Sequence, residues 1–276
     1  MQLVRILLPI DQHGTTEACA AAAFALASRF RIEVEALHPC PPAWQRLPYS
    51  SELSPFAVQE LIEVEREQAS LEKRHAKAWF RKMAKAFPKV KATFAAGEGL
   101  VGLVVCKYAR MADFSVVPGA GEAEGAFWSD VREGALFSSG RPMLVVPQEA
   151  LSKRADTVVV AWKDRPEAVR AIVAAAPFLA KAKRVRVMSV TEGDHDDGSL
   201  AAITDYLTRA GVAAEVATVP QGSRGVGEVL VAEAGKQKSA MLVMGAYGHS
   251  RLRQWVFGGA TSYVLRNATV PVLMVH

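Results

Sequence analysis

The sequence predicts an α/β protein made of two tandem domains, each a five-stranded parallel sheet flanked by helices. Short apolar segments alternate with segments of helical periodicity along all 276 residues. This alternation is typical of parallel strands joined by right-handed helical crossovers. An internal repeat is the second observation, since residues 6–11 mirror 158–163 and residues 141–146 mirror 270–275. A duplication of this kind indicates two copies of one folding unit.

The boundary between the two units is expected in a short polar segment at residues 148–156. We therefore predict domains at residues 1–150 and 151–276. The two apolar last strands, 143–146 and 272–275, are expected to pair with each other, because unpaired apolar strand edges attract a partner. The halves then form an internal pseudo-dimer, whereas no particular residue indicates a further homodimer.

Two more pairs of segments complete the repeat. Residues 32–37 mirror 185–190, and residues 113–119 mirror 239–245. The second alignment places the glycines that end these two segments opposite each other.

In the first half, the long middle helix has the clearest signals. Ser54 and Pro55 favour its start, because a hydroxyl caps the first turn and Pro fits the first helical position. Its apolar face is expected in the core and consists of Ala76, Trp79, Phe80, Met83 and Phe87. Strands are expected near 3–10, 32–37, 89–95, 113–118 and 142–146, and helices near 15–29, 55–87, 98–111 and from about Asp130.

The second half shows the same alternation with a shorter middle helix. Strands are expected near 157–162, 184–190, 213–219, 240–245 and 271–275, and helices near 165–182, 198–210, 225–237 and 259–268.

Composition narrows the function classes. The chain is 50% hydrophobic, and its net charge of +5 comes without a basic tract interleaved with aromatics, which argues against nucleic acid as a partner. No apolar run reaches the roughly 18–20 residues that span a bilayer, and the N-terminus lacks a signal-peptide pattern. Three cysteines without metal-ligand spacing fit a reducing compartment, so a cytoplasmic protein is expected.

The C-terminal segment combines an apolar strand with a glycine-rich loop. Gly245 and Gly248 follow the strand, and Gly258 and Gly259 precede a helix. Glycines let the backbone approach a ligand closely, and the free N–H groups at a helix start attract an anion. A tight turn followed by a helix cap without a ligand fits the same spacing equally well.

The order Gly245-x-x-Gly248, nine residues, and then Gly258 with a small residue resembles the ATP-binding signature of the universal stress protein family. The preceding strand, the short helix and the last strand that begins after Pro271 match as well. The resemblance covers nearly the whole chain and implies two Rossmann-like domains of the adenine-nucleotide α-hydrolase type. The family usually has Ser or Thr after the third glycine, whereas this chain has Gly259, with a threonine two positions on.

The resemblance implies ATP or AMP as ligand and a role in the stress response. The nucleotide is expected across the carboxyl ends of the first and fourth strands of the second half. The implied nucleotide-binding residues are Ala161, Trp162, Lys163, Val190, Met244, Gly245, Gly248, His249, Gly258, Gly259, Ala260 and Thr261. Ser262 adds a hydroxyl next to them, and for His249 both a phosphate contact and simple exposure stay open.

One position of the pattern differs between the halves. The family usually has Asp after the first strand, as at Asp11, whereas the second half has Lys163. A carboxylate beside phosphates requires a bridging cation, but an ammonium neutralises phosphate directly. Nucleotide binding is therefore expected to depend only weakly on Mg²⁺.

The first half is expected to lack a nucleotide, which leaves one per chain. Glu122 and Glu124 stand where phosphate donors are expected, and Asp130 and Glu133 are expected at the start of the last helix. Carboxylates there compete with an anion for the positive end of the helix dipole.

Two alternatives to a nucleotide-binding protein stay open. The first is an interaction or signalling scaffold without nucleotide, against which the intact glycines of the second half argue. The second is a slow ATPase or phosphoryl-transfer enzyme, against which the lack of a carboxylate base beside the loop argues; no catalytic or metal-binding residues are assigned. Other motifs are interpreted as structural: 222–227 as a helix-entry loop, 194–197 as a solvated loop and Cys40 as a turn residue.

Overall fold

The computed structural model describes residues 3–46, 54–121, 125–148, 156–191, 198–237, 240–246 and 259–276. The first half contains β1 (Arg5–Pro9), α1 (Glu17–Phe30), β2 (Glu33–Cys40), α2 (Ala43–Arg46), α3 (Pro55–Lys85), β3 (Ala92–Glu98), α4 (Val101–Ala109), β4 (Phe114–Pro118), α5 (Ala126–Glu133), which continues into a π-helical turn (Gly134–Ser138), and β5 (Met143–Val146). The second half contains β6 (Thr157–Ala161), α6 (Pro166–Leu179), β7 (Arg184–Thr191), α7 (Ser199–Arg209), β8 (Ala214–Pro220), α8 (Val226–Gly235), β9 (Ala240–Gly245), α9 (Gly259–Asn267) and β10 (Val272–Val275).

All ten strands of the described residues belong to one sheet, in the order β3-β2-β1-β4-β5-β10-β9-β6-β7-β8. Within each half the strands are parallel, and the two halves meet where β5 and β10 pair antiparallel. Leu144 lies opposite Leu273 at this junction, and both are almost fully buried. The predicted α/β class and the pairing of the two last strands are therefore confirmed.

Helices cover both faces of the sheet, which explains why the central strands are apolar on both sides. One face packs against α1, α3, α6 and α7, and we call it face A. The other packs against α4, α5, α8 and α9, and we call it face B. On face A the aromatic rings of the two halves meet. The ring of Phe178 packs edge-on against those of Phe30 and Phe114, with distances between ring centroids of 5.1 and 5.6 Å.

The long helix α3 begins as the sequence predicted. Ser54 caps it, since its hydroxyl accepts a hydrogen bond from the backbone N–H of Ala57 at 3.2 Å. The predicted apolar face packs into the core, with Ala76 and Phe80 fully buried. Among the described residues, no helix is both long enough and apolar enough to span a membrane.

Equivalent hydrogen bonds fix how the two halves correspond. The N–H of Ile10 donates to Leu37 O at 2.9 Å, and the N–H of Trp162 donates to Met188 O at 2.8 Å. Asp11 and Lys163 follow these two donors, so their predicted equivalence is confirmed. Leu37 corresponds to Met188, however, so the predicted alignment of 32–37 with 185–190 is wrong by two residues.

The predicted alignment of Gly119 with Gly245 is also wrong, by one residue. The N–H of Ser115 donates to Pro142 O, and the N–H of Leu242 donates to Pro271 O, at 3.1 and 2.9 Å. Counting three residues on from Ser115 and from Leu242 makes Pro118 the counterpart of Gly245.

Several element boundaries also differ from the prediction. Strands β2 and β3 pair from Val34 with Ala92 to Cys40 with Glu98. Strand β3 therefore starts later than predicted and β2 ends later, so that Cys40 is a strand residue and not a turn residue. The short helix α2 was not predicted. Helix α5 begins at Ala126 and not near Asp130, because Gly125, with φ of 107°, lets the chain turn into the helix earlier.

Candidate functional site

Two helices of the second half start side by side on face B. Helix α9 follows strand β9, and its first turn touches the first turn of α8. A Cβ atom at Gly227 would lie 2.6 Å from Ala260 O, so only glycine allows this approach. Because both helix dipoles point their positive ends the same way, the positive potential of the two N-termini adds at this edge.

The first turn of α9 is open on one side and polar on the other. No described atom lies within 4 Å of a Cβ built at Gly259. Thr261 is buried, and the buried Oγ of Ser262 has no hydrogen-bond partner among the described residues. This turn contains no acidic residue, whereas the first turn of α8 contains Glu228. The N-terminus of α9 is therefore the end better suited to an anion.

The apolar residues predicted for the site divide between the two faces of the sheet. Ala161, Val190 and Met244 all pack on face B, beside α8 and α9. Trp162 packs on face A, where its indole N–H donates to Ser199 Oγ at 3.0 Å. The indole is thus turned away from the first turn of α9.

Gly245 has a packing role that the sequence did not reveal. A Cβ atom there would lie 2.7 Å from both the carbonyl carbon and the Cβ of Glu167, in the first turn of α6. Positive φ is not the reason for this glycine, because Gly245 ends an ordinary strand. Its Cα instead faces α6 on face A, and one carboxylate oxygen of Glu167 is buried there without a hydrogen-bond partner among the described residues.

Gly245→Ala is therefore expected to destabilise the fold by about 1–3 kcal/mol, because the methyl group overpacks the start of α6. Denaturant unfolding followed by circular dichroism measures this loss. Gly259→Ala is the matched control, since its methyl group meets open space and should change the free energy of unfolding by less than about 0.5 kcal/mol. Equal stability of the two variants would contradict this role of Gly245.

Lys163 and its counterpart Asp11 have different surroundings. Lys163 is exposed, as is Asp164 next to it. Asp11 is half-buried, and its carboxylate accepts a hydrogen bond from the backbone N–H of His13 at 2.7 Å. Within the described part of the chain no three His, Cys, Asp or Glu side chains converge as metal ligands do.

The equivalent edge of the first half is closed by the protein itself. The N–H of Ala120, in the loop after β4, donates to Leu265 O of α9 at 2.8 Å. A Cβ at Gly121 would lie 3.1 Å from Arg266 O, so this loop packs against the C-terminal end of α9. The indole of Trp79 lies where a side chain at Gly14 would lie, which covers the loop after β1.

The acidic residues of α5 do not lie where the sequence predicted. Because α5 begins at Ala126, Asp130 lies in its second turn and Glu133 is its last residue, and the first turn has no acidic residue. Burial raises the pKa of the Asp130 carboxyl. These two carboxylates therefore do not occupy the positive end of the helix. Glu122 and Glu124 lie outside the described residues.

Several predicted site residues lie outside the described residues as well. These are Gly248, His249 and Gly258, and the 194–197 segment shares this status. The 222–227 segment is a helix-entry loop, as predicted, with Gly225 as the N-cap of α8. The structure adds two residues that sequence reasoning missed, Gly227 and Glu167. Small residues at the starts of both α8 and α9 were the sequence signal that could have predicted the close approach at Gly227.

A shallow depression of about 470 Å³ lies elsewhere, between α7 and β8. Its lining is mixed, with Thr204, Asp205 and Thr218 beside Leu200 and Val216. It is not adjacent to the first turn of α9 and contributes nothing to the candidate site.

The fold defines a class of protein: a tandem α/β protein in which two five-stranded parallel units share one sheet through their last strands. Residues 176–276 match the family model of the universal stress protein family. No curated protein matches the chain.

Solved structures match the chain over nearly its whole length. A universal stress protein from Archaeoglobus fulgidus DSM 4304 has a TM-score of 0.67 at 17% identity, over 98% of this chain and 95% of its own. A putative universal stress protein from Pseudomonas aeruginosa UCBPP-PA14 has a TM-score of 0.57 at 13% identity, over 99% and 93%. A universal stress protein in complex with cAMP matches 53% of this chain at 15% identity and a TM-score of 0.33, a value too low for its ligand to bear on this chain. Residues 176–276 therefore match the universal stress protein family model, and the whole chain has the tandem fold of these solved structures.

Proposed function

We propose that the second half binds one adenine nucleotide, ATP or AMP, at the carboxyl ends of β6 and β9, with its phosphates at the N-terminus of α9. The observation that carries this proposal is the first turn of α9, which is led by glycine, free of acidic residues and placed beside a second helix N-terminus. Backbone N–H groups in this arrangement bind phosphate without any particular side chain. The glycine order Gly245, Gly248 and Gly258 supports the same ligand.

The residues around this turn have the chemical character that suits a nucleotide. The hydroxyl of Ser262 is a buried donor that lacks a partner among the described residues. Ala161, Val190 and Met244 form an apolar surface on the same face, suited to a purine ring. For Trp162 we propose a role through its backbone only, because its indole is engaged with Ser199 on the opposite face.

We propose that the first half is the structural partner and not a second binding domain. In the loop after β4, the N–H of Ala120 donates a hydrogen bond to Leu265 O of α9, and Trp79 covers the loop after β1. The loop that in the second half is proposed to hold phosphate is thus used in the first half to support the end of α9. A cytoplasmic role in the stress response, without rapid catalysis, completes the proposal.

The direct test is to identify the nucleotide that the purified chain retains. The protein is passed through gel filtration and denatured, and the supernatant is analysed by mass spectrometry. Retained ATP or AMP near one equivalent, or their binding when added to stripped protein, supports the proposal. If the native chain retains no nucleotide and binds neither on titration, it acts as a scaffold and the proposal is wrong. Steady release of phosphate from ATP would favour a slow ATPase.

Removal of Mg²⁺ is expected to weaken ATP binding by less than tenfold, which is about 1.4 kcal/mol. Lys163 is exposed, and we propose that its ammonium neutralises the phosphates directly, so that no carboxylate at this position needs a bridging cation. Titration of ATP with Mg²⁺ and with chelator measures the difference. Lys163→Asp restores the arrangement of Asp11 and should make binding Mg²⁺-dependent. A tenfold or larger loss on chelation in the unaltered chain contradicts the prediction.

A further inference from the structure

The N-terminal part of helix α3 is packed differently from its C-terminal part. Between Phe56 and Leu71 no described side chain is buried, and the first buried residue of the helix is Glu72. Glu72 accepts two hydrogen bonds from Arg46 of α2, at 2.7 and 2.8 Å, and from there Ala76 and Phe80 enter the core. About four turns of helix thus carry apolar residues that are at most half-buried in the described protein.

A second stripe runs along α3 next to its core face. Its positions follow the 3.5-residue spacing of helices that pair with each other. They are Ala57, Leu61, Val64, Gln68, Leu71, His75 and Ala78, and none of them is buried. Val64 is 56% exposed and Leu71 is 41% exposed. The stripe spans 22 positions, or roughly 33 Å of helix.

The row of residues beside this stripe changes sign halfway along the helix. Glu60 and Glu67 precede Arg74 and Arg81 at steps of seven residues, and all four are exposed. No ion pair joins any of them to another described residue. Such a row meets opposite charges along a partner copy of the same helix only if that helix is antiparallel to it.

We propose that two copies of this chain pair through their α3 helices, arranged antiparallel. Twofold symmetry makes the surface complementary to itself. In this register Glu67 faces Arg74 of the second copy, and Glu60 faces its Arg81. In the same register Leu61 lies beside Ala78 of the second copy, Val64 beside its His75 and Leu71 beside its Gln68.

A parallel arrangement of the same helices is disfavoured by charge. It would bring Glu60 of one copy towards Glu65 of the other, and like charges repel at such positions. The helix also contains like-charged neighbours four residues apart, Glu63 with Glu67 and Lys77 with Arg81. Such pairs destabilise an unpartnered helix, and an antiparallel second copy brings opposite charge to both.

Sedimentation equilibrium of the whole chain tests the surface. We expect a monomer–dimer equilibrium, and Val64→Glu or Leu71→Glu should leave monomer at every concentration examined. Both side chains are exposed in the monomer, so unchanged far-UV circular dichroism spectra and cooperative unfolding verify that the variants are folded. Val173→Glu on α6 is the matched control, because Val173 is exposed to a similar degree, and it should keep the dimer. A chain that is monomeric throughout, or a dimer that both glutamate variants leave intact, overturns the proposal.

A charge exchange tests the register. Glu67→Arg and Arg74→Glu should each weaken the dimer at least about tenfold, since each turns two attractive pairs into repulsive ones. The double variant Glu67→Arg/Arg74→Glu should restore the affinity to within about threefold. Failure of the double variant to recover overturns the antiparallel pairing.

Cysteine crosslinking tests the orientation. The native cysteines, Cys19, Cys40 and Cys106, are all buried and do not interfere. Antiparallel helices place position 64 of one copy near position 75 of the other, so Val64→Cys mixed with His75→Cys should crosslink under mild oxidation. Val64→Cys alone should not. Crosslinking of Val64→Cys with itself shows a parallel pair and overturns the proposal.

Discussion

Titration of the stripped chain with ATP is expected to give one site per chain, and Gly259→Glu is expected to abolish binding, with a loss of affinity of at least about 100-fold. The added carboxylate lies at the first position of α9 and occupies the positive helix end that the phosphates require. The fold should tolerate it, because no described atom lies within 4 Å of the Cβ position. Isothermal titration calorimetry measures both the stoichiometry and the loss.

The first half offers a matched control for this variant. Ala126 is the exposed first residue of α5, the helix that follows β4 as α9 follows β9. Ala126→Glu therefore adds the same charge at the equivalent helix end and should leave ATP binding unchanged. The sequence also predicts loss of binding for Gly248→Glu and Gly258→Glu, at positions outside the described residues. Two equivalent sites, or binding that survives Gly259→Glu, would show that the active half has been misassigned.

Most of the fold could be predicted from the sequence because its signals are local. Apolar runs, proline stops and the cap at Ser54 each act within a few residues, and they were sufficient to place every strand. The helix start at Ala126 was missed because it depends on Gly125, whose positive φ is invisible to periodicity. An acidic residue, Asp130, was mistaken for the start of that helix.

The correspondence between the halves was harder, because it depends on contacts between distant segments. Runs of valine, leucine and methionine do not show which residue of one half corresponds to which residue of the other. The predicted alignment therefore placed the glycines of the two halves opposite each other. The hydrogen bonds of Ser115 and Leu242 show the slip. Gly245 is a glycine because α6 starts against it, a contact that no local pattern contains.

The candidate site was predictable in outline and not in the orientation of its side chains. Alternation along β6 puts Trp162 on the same face as Val158 and Val160, and this count alone would have moved its indole away from Met244. Closure of the first half could not be predicted in this way. It depends on Ala120 meeting the end of α9, across the two halves of the protein.

The second large effect is expected at the junction of the two halves, where Leu273→Lys should destabilise the protein by at least about 3 kcal/mol. Leu273 has no exposed surface, lies opposite Leu144 and is part of the core on face A. A lysine there must bury an unpaired ammonium at the one pairing that, among the described strands, joins the two parallel sets, and uncompensated buried charges are costly. Leu273→Ala tests packing alone and should cost about 2–5 kcal/mol.

Thermal and denaturant unfolding measure these losses, with light scattering to detect chains that associate through exposed strand edges. Val216→Lys is the matched control, because it adds the same charge to β8 at the outer edge of the same sheet, where Val216 is 48% exposed. It should change the free energy of unfolding by less than about 0.5 kcal/mol. If Leu273→Lys is as stable as this control, the halves are not held together through β5 and β10. If it unfolds one half while the other stays intact, the intact half is stable without the shared sheet.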